Sequence, residues 1–197
     1  MSSKPSEAQP DPLGNIWITS RTRMVSHARY EFYDLLSHFV LTAYSVMLLG
    51  FSVFNPHMAS TNIGPYTSEV AIVLSLCVLA ASLVVWGLGF GKIAAKHRSC
   101  YLELHKLYDA QIENSEKLRH YHEILERFPN HSGFDQERML FRKIVLTGGE
   151  VRNTEGRVSF GKLRTLKYCW SVALRWIAFL LLLLAPIIFM GILYVFG

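Results

Sequence analysis

The sequence predicts an all-α membrane protein: a transmembrane helical hairpin continuing into cytoplasmic helices, plus a C-terminal third hydrophobic span. Three observations predict it. Hydrophobic residues make up 51% of the 197-residue chain, and most of them are gathered into three blocks. Each block runs for about 20 residues without Asp, Glu, Lys or Arg, the length a helix rising 1.5 Å per residue needs to cross roughly 30 Å of hydrocarbon. Charged residues are 18% of the chain, against about 25% in soluble domains. This composition excludes a disordered chain. It also speaks against a disulfide-stapled secreted scaffold and a single water-soluble globule.

The elements follow in chain order. Residues 1–34 form an N-terminal segment and residues 35–91 the transmembrane hairpin, with spans at 35–54 and 70–91 and an external loop at 55–69. Residues 92–175 form a cytoplasmic helical region, and residues 176–197 the third span, which holds an unbroken leucine run at 180–184. The first block is not a cleaved signal peptide, because it follows 34 residues that include Trp17, acids and several arginines. Basic residues set the orientation. Lys4, Arg21, Arg23 and Arg29 precede the first span, loop 55–69 has no Lys or Arg, and residues 92–175 carry sixteen. The positive-inside rule therefore puts the N-terminus and the long middle region in the cytoplasm. Asn55-Pro56 and Gly64-Pro65 suit a short hairpin loop. Cys77 falls in a span, and Cys100 and Cys169 fall on the reducing side, so no disulfide framework is expected.

Lipid offers no hydrophobic gain when two spans associate, so small residues and hydrogen bonds carry their contact. On the first span His38, Thr42, Ser45, Leu49 and Ser52 recur at helical spacing. On the second, Ala71, Ser75, Val78, Ser82, Val85 and Gly89 do the same, and Gly87 and Gly91 form a GxxxG. Two readings of these stripes stand side by side. Either the hydroxyls bond their own i−4 carbonyls and Ser75, Ser82, Gly87, Gly89 and Gly91 only pack the hairpin, or several subunits assemble. In the second case His38, Thr42, Ser45 and Ser52 become the wetted lining of a pore with weak selectivity. The third span is greasy all round, with a kink expected at Pro186. The basic run ahead of it, Arg157, Lys162, Arg164, Lys167 and Arg175, suits anionic headgroups.

Beyond Gly91, strong helix formers extend the second span into the cytoplasm, with a bend expected at the glycines. His97, Tyr101, Leu104, Tyr108, Gln111, Ser115, Leu118, His122 and Leu125 follow a roughly 3.5-residue stripe. Its Tyr101, Leu104 and Tyr108 are a candidate interaction face, either for another subunit or for packing within the chain. Residues 128–133 end that helix, a short helix follows from Asp135 to about Leu146, and residues 147–161 read as a flexible connector. No phosphate-cradling glycine loop, GxSxG, HExxH or paired-cysteine zinc site occurs, so no enzyme, no cofactor and no metal are expected.

Several segments carry a resemblance. Ile16-Trp17-Ile18-Thr19, then Arg21, Arg23 and Arg29, precede a span containing Leu41-Thr42-Ala43-Tyr44-Ser45. After the second span come Lys96-His97-Arg98-Ser99-Cys100-Tyr101-Leu102-Glu103-Leu104, then Tyr121-His122-Glu123-Ile124-Leu125 and Pro129-Asn130-His131. Their joint order over residues 16–135 resembles the SLATT domain family, two-span bacterial membrane effectors associated with nucleotide synthases and nucleotide sensors. The resemblance implies an antiphage effector in the bacterial inner membrane, and with the two polar stripes it leads to the expectation of a homo-oligomer in the lipid bilayer. Its partner, a reverse transcriptase or a nucleotide-signal synthase, detects infection; the effector then permeabilises the membrane and growth stops or the cell dies. The chain has no recognisable nucleotide-sensor domain, so a separate sensor, a nucleotide or a nucleic acid could be the trigger, with Arg21, Arg23 and Arg29 as candidate basic residues for it. An anchor that recruits a partner enzyme through the cytoplasmic helices is the alternative.

Overall fold

The computed structural model describes residues 11, 13–58 and 67–196. The polar N-terminal residues 1–10, residues 59–66 of the expected external loop and the terminal Gly197 lie outside them. In chain order the elements are helices α1 (Gly14–Met58), α2 (Thr67–Leu88), α3 (Phe90–Asp109), α4 (Asn114–Arg127) and α5 (Gly133–Leu140). A π-helical turn (Phe141–Leu146), strands β1 (Arg152–Asn153) and β2 (Gly156–Arg157), and helix α6 (Lys162–Phe196) complete it. By length and composition, three of the described helices can cross a membrane.

Helix α1 is a single rod of 45 residues. It starts well before the expected first span because residues 15–49 contain neither Gly nor Pro, so nothing in the sequence stops it. The glycine-rich stretch after α2 does break the helix. Gly89 has φ of 56°, the left-handed region that glycine enters without a Cβ clash, and α3 begins at Phe90. The cytoplasmic helix expected to run to Leu125 is instead two helices. The Lys117 side chain, buried in α4, donates to the Tyr108 carbonyl at 2.8 Å and closes the end of α3. Phe128 is extended, as the residue before a proline prefers, and ends α4. The expected connector at 147–161 contains an ordered hairpin, in which Arg152 pairs with Arg157 and Asn153 with Gly156. Helix α6 begins at Lys162, ahead of the expected boundary at 176, and continues through position 186.

The chain forms two compact units. Unit 1 is the chain up to Glu31 with Gly91–Trp170, and unit 2 is Phe32–Phe90 with Ser171–Gly197. Unit 1 has an apolar core in two parts: Ile16 with Cys100, Leu104, Leu107 and Ile124, and Ile18 with Met139, Leu140 and Val151. Its hairpin holds the start of α1: Asp11 N–H donates to the Asn153 carbonyl at 3.2 Å, and a Cβ placed on Gly14 would meet the Arg152 carbonyl oxygen at 2.5 Å. Tyr168 stacks on Phe134 and packs at a tilt against Phe141, and Arg164 makes a forked ion pair with Glu137 at 2.7–2.9 Å.

Unit 2 is built the opposite way round, with its large apolar side chains outside. Leu35, Phe39, Val46, Leu49, Val53, Leu76 and Leu83 are all exposed, and Trp86 is 82% exposed. An apolar surface of that extent is untenable in water and ordinary in lipid. The buried positions of α1 here are Val40 and Phe51, on the face where the Tyr44 hydroxyl donates to the Leu182 carbonyl.

Candidate functional site

In unit 2 the first-span stripe lies on the outside of α1. His38, Thr42, Ser45 and Ser52 are each exposed, opposite the face that buries Val40 and Phe51. Thr42 Oγ1 donates to the His38 carbonyl at 2.8 Å and Ser45 Oγ to the Leu41 carbonyl at 2.9 Å. Each hydroxyl proton is thereby satisfied inside the helix, which makes the residue tolerable in hydrocarbon. Each oxygen still presents acceptor lone pairs outward. Ser75 and Ser82 on α2 make the same bond to the Ala71 and Val78 carbonyls, at 2.7 and 2.8 Å. Ser82 and Gly89 are partly buried within the unit and Ser75 is exposed. A Cβ on Gly87 would meet nothing within 4 Å. Gly91 opens the return of the chain into unit 1.

In unit 1, α1 carries an inward face that is polar where a core helix is usually apolar. Thr19, Ser20, Thr22, Arg23, Ser26 and Arg29 are all buried. Asp135, in the first turn of α5, has no exposure and is their counter-charge. It accepts from Ser26 Oγ at 2.7 Å and from Ser132 Oγ at 2.9 Å, and pairs with Arg29 Nη2 at 3.0 Å. The Ser132 hydroxyl in turn accepts from Asp135 N–H, a reciprocal cap that fixes where α5 starts. Arg23, 1% exposed, donates through Nη1 to the Pro129 carbonyl and to His97 Nδ1 at 3.3 Å. Because a guanidinium only donates, Nδ1 must be the unprotonated acceptor, and the His97 proton sits on Nε2. Tyr30 stacks on the His97 ring at 5.5 Å and Arg29 lies over Tyr30.

The electrostatics agree with that assignment. Burial, and then the neighbouring Arg23, push the His97 pKa down to about 4. Burial also lowers His131 and raises the Cys100 thiol. Within this cluster Arg23 Nε, His131 Nδ1 and Asp135 Oδ1 are buried without a hydrogen-bond partner among the described residues. The cluster ties α1, α3, the turn at Pro129 and α5 together through directed bonds. It can hold those four segments in one arrangement, and it loosens if its charge balance changes.

The candidate trigger arginines therefore separate. Arg23 and Arg29 are inside this cluster, whereas Arg21 is on the surface against the Trp17 ring. Of the candidate interaction face, Leu104 is fully buried in the core of unit 1 and Tyr108 packs against that core. Tyr101 is partly buried, its carbonyl accepting from Ser20. The sequence does not mark His97, Ser26 and Asp135 as site residues. Their signal was the run of Thr and Ser at the i, i+3, i+4 positions where α1 should have shown leucines. Among the described residues no group of three or more His, Cys, Asp or Glu could hold a metal ion.

Fold and site together define an all-α membrane protein with one helical unit that buries a polar cluster beside its apolar core and one lipid-compatible helical unit. The SMODS and SLOG-associating 2TM effector domain family 5 matches residues 8–195, and the chain belongs to that family. The family's name counts two transmembrane segments, while this chain has a third helix, α6, long and apolar enough to cross. Comparison with curated proteins and with solved structures gives no match.

Proposed function

We propose that this membrane effector acts in bacterial antiphage defence by assembling into a homo-oligomeric pore in the inner membrane. On this reading the N-terminus and unit 1 are cytoplasmic, and a partner enzyme or its product releases the pore during infection. Membrane potential then collapses and growth stops. The observation that carries the reading is the exposed line His38, Thr42, Ser45 and Ser52 on the unit 2 part of α1, whose other exposed side chains among the described residues are apolar. An ionisable side chain such as His38 inside a membrane segment is rare and faces a bundle interior or water. The hydroxyls spend their protons on i−4 carbonyls, so the lining would offer oxygen lone pairs and no fixed charge. That chemistry suits partly hydrated ions with weak discrimination.

Unit 1 supplies the restraint in this scheme. Its buried cluster joins the cytoplasmic part of α1 to α3 and α5, and α1 runs on without a break into the pore-lining segment. The anchoring alternative draws on the Tyr101, Leu104 and Tyr108 face, whose Leu104 the chain already uses in its own core. The test is Thr42→Leu with Ser45→Leu. The pore reading expects toxicity to fall sharply at unchanged membrane abundance. Full toxicity of that variant overturns it.

A further inference from the structure

The hydroxyls of unit 2 divide by where their protons go. Thr42, Ser45, Ser75 and Ser82 each bond the carbonyl four residues back in their own helix. The Tyr44 hydroxyl crosses instead from α1 to the Leu182 carbonyl of α6. A phenol stands too far from its own backbone to fold back onto it. In hydrocarbon a tyrosine hydroxyl therefore needs an acceptor on another helix.

The sequence of α6 explains why Leu182 is that acceptor. Inside an α-helix a carbonyl takes the N–H of the residue four places later. For Leu182 that residue is Pro186, which has no N–H. Helix α6 nevertheless continues from Lys162 to Phe196. In water a spare carbonyl binds solvent; in hydrocarbon a neighbour must meet it, and proline is tolerated in membrane helices where one does. A donor that α1 cannot use on itself thus meets an acceptor that Pro186 leaves without its helical partner, 138 positions apart in the chain.

The contact has a definite side. Val40, Tyr44 and Phe51 fall within about 40° of one another around the helix, and Val40 and Phe51 are buried. His38, Thr42, Ser45 and Ser52 are centred about 135° away from them, and all four are exposed. Pulling α6 off α1 would leave a bare hydroxyl and a bare carbonyl in lipid. Helix α6 is accordingly held to the back of α1, and the polar line lies on the side left open.

We propose that Tyr44 is a positioning residue: paired with the carbonyl that Pro186 frees, it docks α6 on the back of α1 and so presents His38, Thr42, Ser45 and Ser52 to the conduit. This gives a task to the helix beyond the two segments that the family's name counts. The inference rests on the pore reading, and its experiment reads the docking and the conduction separately.

Donor and acceptor dyes at Val46→Cys and Leu181→Cys, both exposed positions of unit 2, report the separation of α1 from α6 as the full chain in detergent micelles is titrated with SDS. The background is Cys77→Ala with Cys169→Ala, and excess unlabelled chain keeps the energy transfer within one molecule. Tyr44→Phe keeps the ring, removes only the hydroxyl and should raise the separation constant about tenfold. Pro186→Ala returns an N–H to the Leu182 carbonyl, and in that background Tyr44→Phe should change the constant less than about twofold. In infected cells Tyr44→Phe should delay depolarisation at unchanged membrane abundance, and adding Pro186→Ala should restore its timing. No change on Tyr44→Phe, or an equal cost in both backgrounds, overturns the docking. Depolarisation untouched by Tyr44→Phe while the separation constant shifts overturns the positioning role. A parent chain that never depolarises the cell overturns the pore reading, and the positioning role with it, while the dye measurement of docking stands apart.

Discussion

Replacing Asp135 by Asn removes one negative charge and almost no volume from the centre of unit 1. The shape and the hydrogen bonds from Ser26 and Ser132 can persist. The counter-charge of Arg29, at 3.0 Å, cannot. Breaking a buried ion pair by neutralising one partner costs about 3–5 kcal/mol, because a desolvated charge is left without compensation. Cys100 reports the consequence. It has no exposure, and burial raises its pKa, so a maleimide reaches it only when unit 1 opens. In a Cys77→Ala, Cys169→Ala background the labelling rate follows the open population, and the predicted cost multiplies it roughly 150- to 5000-fold. A rate within threefold of the parent would refute the idea that Asp135 holds the cluster together.

Acid acts on the same cluster through His97. Its folded pKa of about 4 lies below the ordinary 6.5, so the unfolded chain takes up the proton first, and stability falls as pH drops from 6.5 to 4. The full loss is about 3 kcal/mol, seen as a falling denaturant midpoint over that window; His97→Gln, which can still accept from Arg23, should flatten the profile. Gly14→Ala sets a methyl group against the Arg152 carbonyl and should cost about 1–3 kcal/mol by pushing the β-hairpin off the start of α1, measured as a lower denaturant midpoint. Gly89→Ala forces a Cβ into φ of 56° and should cost about 1 kcal/mol by the same measurement, whereas Gly50→Ala, with open space around it, should cost almost nothing. Glu137→Gln breaks a forked but part-exposed pair with Arg164 and should cost less than about 1 kcal/mol.

The helices long and apolar enough to cross a membrane were legible from sequence because one physical quantity, uninterrupted apolar length, decides them. Helix α2 and the distal part of α6 lie where the charge-free blocks placed them. The ends of helices were harder to read. Helix α1 begins at Gly14 because continuation costs nothing when no breaker intervenes, and hydropathy is blind to that. The division of α3 from α4 turns on a lysine seated on the Tyr108 carbonyl, a tertiary contact with no local signature. The stripe His97, Tyr101, Leu104 and Tyr108 identified the inward side of α3 but left open what it faces; the structure places Ile16 and Ile124 against it. The polar cluster was the least legible feature. Arg23 and Arg29 look like solvent-facing charges in a list of residues; the burial of Arg29 is met by Asp135 and that of Arg23 by His97 and the Pro129 carbonyl, each more than seventy positions away in the chain.

Conduction of ions along the exposed polar line on α1 is the proposed activity. The most direct measurement is single-cell membrane potential, followed with a voltage-sensitive dye while the chain is induced together with its genomic neighbours and the cells are infected. Loss of potential ahead of growth arrest, abolished by Thr42→Leu with Ser45→Leu at equal membrane abundance, is the predicted result. Growth arrest with the potential intact would contradict it.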